Sequence, residues 1–524
     1  MKLENSERKI LNRICLIIVL TLIFTEVPKP IGLNFLAGDL AGKLSTYPIL
    51  IGCLYMIYLR KRVLFGFEER IFFRYILILF FVTFISLILG ALSFPYYSAI
   101  FSGPINQIEK FPYVYNKLSD MNIAVSKTDL LVVWLIARKI KNLIFLFAWT
   151  YFASFMIYLW YKDDSNDGIQ ILSKGIFISL IILCLYGLLD VFYLAGNDYA
   201  TNILTHLNPI VHTIQSDGTW WPPLLWNNQL RSVFSEPSYF GIYMAFAIPL
   251  LWMCLFDGQG KRIYLTVGWI LNFICMLFMF LTKARTATML LFGLIILLIF
   301  FCILFLPLKK KVLLGIIISC IFAFILNLML FNYVFVKPQT TVPLISASSY
   351  IEDTVGSLSD IDKRSNRSRY SIMLADFRIG LDHPIFGVGI GFRNAYIMDY
   401  LPDKEHLSDE TRMWIKNQKE KGILKSGFPK LGEYTSRFAE TGTLGIILFF
   451  VPPFYLIWNL LKIVRHKSRR GDNPTVEIFF LISLIGTLAS GIGDSLNITY
   501  AYWIMLGLGY TILRKNREEQ HESA

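Results

Sequence analysis

Long apolar stretches separated by short basic segments make up most of this chain of 524 residues. A helix needs about 20 apolar residues to cross a bilayer, and twelve stretches approach that length. They lie near residues 10–27, 44–60, 71–94, 129–160, 174–194, 236–256, 264–282, 287–308, 312–336, 440–463, 476–491 and 497–513. A content of 55% hydrophobic residues also exceeds that of a soluble globule. The sequence therefore predicts an all-α fold, a polytopic bundle of about twelve transmembrane helices.

The basic segments predict how the bundle is oriented, because short loops rich in Lys and Arg stay on the cytoplasmic side. They fall at alternate ends of the apolar stretches, at 2–9, 60–62, 162–174, 261–262, 309–311, 465–470 and 514–517. Both termini are therefore expected in the cytoplasm. The net charge of +13 consists largely of these anchors, so we expect no nucleic-acid partner.

Neither the cysteines nor the histidines suggest a bound metal or cofactor. All seven Cys residues fall inside predicted spans, where a thiol acts as a small apolar side chain. The six His residues show no ligand spacing such as HExxH. We therefore expect neither a metal site nor a cofactor.

The orientation leaves two long segments outside the membrane, near 195–235 and 337–439, and a shorter one near 95–128. The 337–439 segment has enough apolar and aromatic residues to form short helices over the bundle. The chain accordingly divides into four parts. They are N-terminal membrane helices and first external loops at 1–230, core membrane helices at 231–336, the large external loop at 337–439, and C-terminal membrane helices with a cytoplasmic tail at 440–524.

One helix and one turn are predicted within the large external loop. Ile372, Ala375 and Ile379 recur at helical spacing and place Arg369 at the start of a helix. The sequence DHP at 382–384 ends that helix, and FGVGIG follows. We interpret GVGIG as a tight turn where backbone segments approach closely, because no strand and helix frame it as a nucleotide-binding loop.

The fourth apolar stretch contains three cations near its middle, in the sequence RKIK at 138–141. Each would cost about 2.5 to 3.5 kcal/mol at the bilayer centre. We therefore expect an interfacial helix over 127–139 and a crossing from about Lys141 to Trp160. Attraction of an anionic pyrophosphate group is the alternative use of this cluster.

Three Arg residues are predicted on the outer side. Arg231 precedes Glu236 in RSVFSEPSYFG, Arg285 lies in the short turn LTKARTATML, and Arg369 begins the loop helix. A single Arg at a membrane boundary is usually an anchor. Three on one face are better explained as a phosphate clamp, since the guanidinium forms bidentate, permanently charged hydrogen bonds to phosphoryl oxygens. Arg437 is a fourth candidate.

An aromatic segment before Arg231 has two interpretations. Trp220, Trp221 and Trp226, with Asn227 and Asn228, can pack on sugar rings and bond their hydroxyl groups. The same residues also fit an aromatic belt at the membrane interface. The sequence leaves both open.

Four motifs in order resemble the O-antigen polymerase and O-antigen ligase superfamily. They are R-x-x-F-x-E-P-S from Arg231, T-x-x-R-T-A around Arg285, R-x(14)-P-x-x-G-V-G from Arg369, and FAETGTLG at 438–445. The resemblance covers about 230–446, whereas the first 200 residues are similar only in being hydrophobic.

The resemblance implies a GT-C-like glycosyltransferase in the bacterial cytoplasmic membrane with its active site on the outer face. Such an enzyme takes a glycan from an undecaprenyl-pyrophosphate-linked oligosaccharide by an inverting displacement. The implied partners are that oligosaccharide, membrane lipid, a chain-length regulator and a flippase.

Ligases of the superfamily carry a His just before the segment that matches FAETG, and PKLGEYTSRFAETG at 429–442 has none. This departure favours a polymerase of O-antigen, capsule or exopolysaccharide, and leaves Glu433 or Glu440 as a substitute base. Glu236 is another candidate base, although it can instead orient Arg231 and cap its helix. Ligase and flippase remain alternatives, the flippase being disfavoured because no internal repeat relates the two halves.

Overall fold

The computed structural model describes residues 4–26, 42–59, 65–212, 229–258, 261–335, 346–354, 356, 364–403 and 406–522. Within these ranges the chain is helical and contains no β-strand, which confirms the all-α prediction. The first ten helices are α1 (Asn5–Thr21), α2 (Thr46–Tyr58), α3 (Phe67–Leu92), α4 (Tyr97–Ser102), α5 (Phe111–Asp120), α6 (Lys127–Trp149), α7 (Tyr151–Tyr161), α8 (Ser165–Leu194), α9 (Asp198–Val211) and α10 (Pro237–Asp257). The next ten are α11 (Arg262–Leu281), α12 (Arg285–Phe305), α13 (Lys310–Met329), α14 (Ala347–Thr354), α15 (Arg364–Asp382), α16 (Arg393–Tyr400), α17 (Asp409–Lys421), α18 (Glu433–Arg470), α19 (Thr475–Ser490) and α20 (Ala501–Glu522).

Seven helical segments of the described chain are long and apolar enough to cross a membrane. They are α3, α8, α10, α11, α12, the segment Pro307–Val334 that contains α13, and α18. The apolar helices α2 and α19 are shorter. A multi-pass bundle is thus confirmed, and the count of about twelve spans stays a prediction.

Helix α10 lies at the centre of the bundle, where it packs against α19, α12, α11 and α8. It begins at Pro237, directly after Glu236, and proline is favoured at this position because its fixed φ suits a helix start. A Cβ atom at Gly241 would overlap Ala287, so only glycine allows α10 and α12 to approach this closely. The starts of α10 and α12, with Glu236 and Arg285, therefore lie at the same end of the bundle.

Ion pairs join α1 to α8, and α3 to Lys162 and α20, at the opposite end. Arg8 of α1 pairs with Asp167 of α8 at 2.9 Å. Glu69 of α3 pairs with Lys162 at 2.8 Å and with Arg514 of α20 at 2.7 Å. These cations belong to basic segments expected in the cytoplasm, and the structure places them together at one end.

Short helices at the end that holds Glu236 form a layer with its own apolar core. In α15, Ile372, Ala375 and Ile379 are fully buried, so the predicted helix is confirmed. The helix begins at Arg364, so the prediction that Arg369 lies at its start is wrong. The helix ends at Asp382, directly before His383-Pro384, as expected. Helices α4, α5, α16 and α17 complete this outer layer.

The expected division of the fourth apolar stretch near Lys141 is wrong. Helix α6 continues through Arg138 and Lys141 to Trp149, and the break comes at Thr150, with φ −114° and ψ −88°. Arg138 and Lys141 are exposed, while Lys139 Nζ donates to the carbonyl of Gly391 at 2.7 Å. The helix therefore continues past all three cations, one of which has a backbone carbonyl as its partner.

Candidate functional site

A backbone kink near the start of α18 forms one wall of the site. Gly442 has φ +64° and ψ −165°, which interrupts the helix inside FAETG. The carbonyls released by this kink accept hydrogen bonds from the glycine-rich turn. Val388 N donates to Ala439 O at 2.9 Å, and Gly389 N donates to Glu440 O at 3.1 Å.

The glycine-rich turn makes the close backbone approach that the sequence predicts. Gly387 and Gly389 have positive φ angles of +66° and +89°. A Cβ atom at Gly387 would lie 2.5 Å from Ala439 O, and one at Gly90 of α3 would overlap the backbone of Val388. The turn therefore holds α3 and the start of α18 in fixed positions.

Glu433 begins α18 as a buried, fully bonded carboxylate. Its Oε1 accepts from Arg437 Nε, and its Oε2 accepts from Ser495 Oγ at 2.8 Å and Leu496 N at 3.1 Å. The guanidinium of Arg437 also lies 4.2 Å above the ring of Phe449. Such a carboxylate is held as an anion and fixes its neighbours.

Glu440 is the second buried carboxylate of α18. Its Oε1 accepts from Gly391 N at 3.1 Å, and its Oε2 accepts from Lys430 Nζ at 2.6 Å. The Glu440 side chain is 6% exposed and that of Lys430 is 44% exposed, so Lys430 covers the carboxylate on the open side. The sequence analysis did not select Lys430, which belongs to no motif.

A small polar pocket separates these two ion pairs, and we call it the α18 pocket. Its charged lining consists of two cations and two carboxylates, so their charges balance. Its polar lining is Thr83, Tyr151, Lys430, Glu433, Ser436, Arg437, Glu440, Thr441, Ser495 and Asn497.

Buried contacts behind the pocket hold Lys430 in place. Arg393 is 1% exposed and bonds both oxygens of Asp376, with Nη2 at 2.9 Å from Oδ2. The same guanidinium donates to the carbonyls of Phe428 and Pro429, each at 3.2 Å. It therefore fixes the two residues that precede Lys430.

Glu236 precedes α10 and is half-buried. Its Oε2 accepts from Ser238 Oγ at 3.3 Å, and it accepts no capping hydrogen bond from a backbone N–H of the first helical turn. The capping role considered from the sequence thus has no hydrogen bond to support it. Burial, followed by the nearby charge of Asp494, raises the pKa of Glu236 to about 6, and Arg369 opposes this rise.

Asp494 lies close to Glu236 and was missed in the sequence analysis. It belongs to the segment between α19 and α20 and is 8% exposed. Burial raises its pKa to about 6, whereas Arg369 and the amide of Ser495, at 2.9 Å, favour the charged form. Arg369 also donates to the carbonyl of Gly493. We call Glu236 and Asp494 the carboxylate pair.

Arg285 contacts α15, the helix that carries Arg369. Arg285 Nη1 donates to Asn366 Oδ1 at 2.6 Å, about one turn before Arg369 on that helix. The short turn predicted between the spans is present, since α11 ends at Leu281 and α12 begins at Arg285. The Arg285 guanidinium is therefore bonded to the helix that carries Arg369.

Arg231 lies in the buried turn before α10 and is 1% exposed. Its Nη1 donates to Ser235 O at 3.4 Å, and Asp190 Oδ2 accepts from the backbone amides of Arg231 and Ser232 at 3.1 and 2.7 Å. Burial lowers the pKa of Arg231, although Asp190 counteracts this effect. The turn that leads to Glu236 is thereby anchored on α8.

The proposed sugar-binding residues Trp220, Trp221, Trp226 and Asn227 lie outside the described residues.

The fold and the site define a multi-pass helical membrane protein with Arg and carboxylate side chains gathered at one end of its bundle. Residues 270–413 match the family described as O-antigen ligase. This match supports membership of the chain in the O-antigen ligase and polymerase superfamily, and thus a membrane enzyme related to those that act on lipid-linked glycans. No curated protein matches the chain. The matched segment includes Arg285, Arg369 and the glycine-rich turn.

Proposed function

We propose that this protein polymerises a polysaccharide at the outer face of the bacterial cytoplasmic membrane. It transfers a glycan from undecaprenyl pyrophosphate to a sugar hydroxyl of another lipid-linked repeat unit, without a metal. The observation that carries the proposal is the carboxylate pair, Glu236 and Asp494, beside Arg369 at the bundle end that also holds Arg285.

Glu236 is the proposed general base. A base works best when its pKa is near the working pH, and the pKa of about 6 at Glu236 meets this condition. Glu433 accepts three hydrogen bonds and Glu440 accepts two, including one from a cation each, and these bonds favour the charged form over a proton. We therefore assign Glu433 and Glu440 to holding the pocket.

Arg369 and Arg285 are the proposed ligands of the pyrophosphate. The acceptor hydroxyl attacks the anomeric carbon and gives its proton to Glu236, while the bond from that carbon to the pyrophosphate oxygen breaks. The negative charge that develops on the leaving group is stabilised by the positioned guanidinium groups. Arg437 and Arg231 are assigned to the surrounding structure, since Arg437 is paired with Glu433 and Arg231 is buried.

The segment at 429–442 supports polymerisation over ligation. It contains no His, and its ionisable side chains Lys430, Glu433, Arg437 and Glu440 are engaged in two ion pairs. Transfer to a lipid core remains the second candidate, favoured by the family description that residues 270–413 match.

Purified protein in vesicles, supplied with a labelled lipid-linked repeat unit, tests the proposal. Glycan chains should lengthen in the presence of a chelator, and Glu236→Gln should lose turnover while still binding the lipid-linked unit. Glu109→Gln is the matched control, because Glu109 is exposed in the outer layer.

Transfer that requires an added lipid core would identify a ligase. Movement of the labelled lipid across the bilayer without a covalent change would identify a flippase. Loss of activity with chelator, or full turnover by Glu236→Gln, would contradict the carboxylate mechanism.

A further inference from the structure

Lys43 connects the N-terminal part of the chain to the candidate site. It lies just before α2, and its Nζ donates to the carbonyl of Asn497 and, at 2.9 Å, to that of Ile498. The ammonium also lies 5.2 Å from the ring centroid of Tyr500. The partners are more than 450 residues away in sequence, so no local pattern points to these contacts.

The segment that Lys43 contacts has no regular structure of its own. It joins α19, which ends at Ser490, to α20, which begins at Ala501. Tyr500 has φ +52°, a conformation that side chains other than glycine rarely adopt. Backbone carbonyls in such a segment need partners outside a helix or strand, and the Lys43 ammonium supplies donors to two of them.

The same segment carries one acidic residue of the site and donates hydrogen bonds to another. Asp494 is a member of the carboxylate pair, and Ser495 and Leu496 donate the two hydrogen bonds to Glu433 Oε2. A shift of the Asn497 and Ile498 carbonyls therefore moves the donors that fix Glu433 and the backbone that carries Asp494.

The charge of Lys43 also belongs to this environment. Burial lowers the pKa of Lys43 to about 7, and Asp494, Glu26 and Glu433 oppose that effect by stabilising the cation. Lys43 is thus placed among the acids of the site.

We propose that Lys43 is a positioning residue for glycan transfer, which holds the segment 494–498 and thereby orients Asp494 and Glu433. The inference rests on the proposed function and extends it, because it assigns a role in the reaction to a part of the chain outside the matched residues 270–413.

The test compares Lys43→Met, Lys43→Arg and Lys110→Met with the wild-type protein. Methionine removes the charge and the donors at similar size, whereas arginine keeps both. Lys110 is exposed in the outer layer and serves as the matched control. Two measurements are made on the full chain in vesicles, namely hydrogen exchange at the amide of Leu496 and the steady-state kinetics of chain lengthening.

Lys43→Met should raise exchange at Leu496 and lower kcat on the order of tenfold or more, with an unchanged KM for the lipid-linked unit. Lys43→Arg should restore most of both properties, and Lys110→Met should change neither. If Lys43→Met does not insert, Lys43→Leu replaces it, since it also removes the charge and the donors.

Unchanged exchange at Leu496 would overturn the inference, and so would raised exchange with an unchanged kcat. If the wild-type protein transfers no glycan, the proposed function fails. In that case the role in this reaction fails with it, and exchange at Leu496 still shows whether Lys43 holds the segment.

Discussion

Removal of the Asp494 charge should shift the pH dependence of glycan transfer to lower pH. The structure gives the direction, because burial and then Asp494 raise the pKa of Glu236 from 4.5 to about 6. Asp494→Asn removes the second cause and leaves the first. The pKa of Glu236 should therefore fall, but not as far as its ordinary value.

The magnitude follows from the role of Glu236 as the base. Only the deprotonated carboxylate accepts a proton, so activity is present above the pKa and is lost as the pH falls through it. With a pKa of about 6, about half of the molecules are active at pH 6 and about one tenth at pH 5. In Asp494→Asn, the fraction active at pH 5 should be larger than in the wild type.

The assay measures initial rates of chain lengthening from about pH 4.5 to pH 8, each normalised to its maximum. Asp409→Asn is the control, since Asp409 is 84% exposed in the outer layer. A wild-type rate that stays constant down to pH 5 would refute Glu236 as the base. If Asp494→Asn does not move the fall in rate at low pH, the electrostatic coupling within the carboxylate pair is refuted.

Four further predictions concern the frame of the site and its orientation. Gly442→Ala should destabilise the protein by about 1–3 kcal/mol in detergent unfolding, because a Cβ atom there would overlap Ile385, whereas Gly293→Ala has open space and should be neutral or stabilising. Arg393→Met should lower the free energy of unfolding by about 3–5 kcal/mol, since it leaves the buried Asp376 without its bidentate partner. Arg412→Met is the control in the same assay, and it should leave the free energy of unfolding almost unchanged because the Arg412 side chain is 57% exposed. Arg369→Lys should recover little of the activity lost in Arg369→Ala, because an ammonium lacks the planar fork, and full recovery in the lengthening assay would show that charge alone suffices. A cysteine label at Asp403 should react from outside intact cells and one at Ser468 only after permeabilisation, and the reverse pattern would invert the topology.

The outer layer and the glycine-rich turn were predictable because their signals are local. Ile372, Ala375 and Ile379 repeat at helical spacing within eight residues, and the glycines of GVGIG mark positive φ angles directly. The helix starts after Glu236 and at Arg285 were equally clear, since each follows a break between apolar stretches.

Residues whose roles depend on distant partners could not be found in this way. Asp494 is a single acid between α19 and α20, and it matters because α10 and α15 bring Glu236 and Arg369 to it. The role of Lys430 likewise depends on Glu440, which the fold brings to it. The break at Thr150 was misplaced because the cations before it were judged by bilayer cost alone, without the carbonyl that Lys139 bonds.

The ion pairs of Glu69 also affect how this bundle can move. Alternating access requires two bodies of a transporter to rock against each other. Glu69 is 1% exposed and connects α3 to Lys162, after α7, and to Arg514 of α20. Separation of these elements would strand buried charge at a cost of several kcal/mol. A bundle tied in this way favours a frame that stays stationary at this end, which suits a one-sided enzyme better than alternating access.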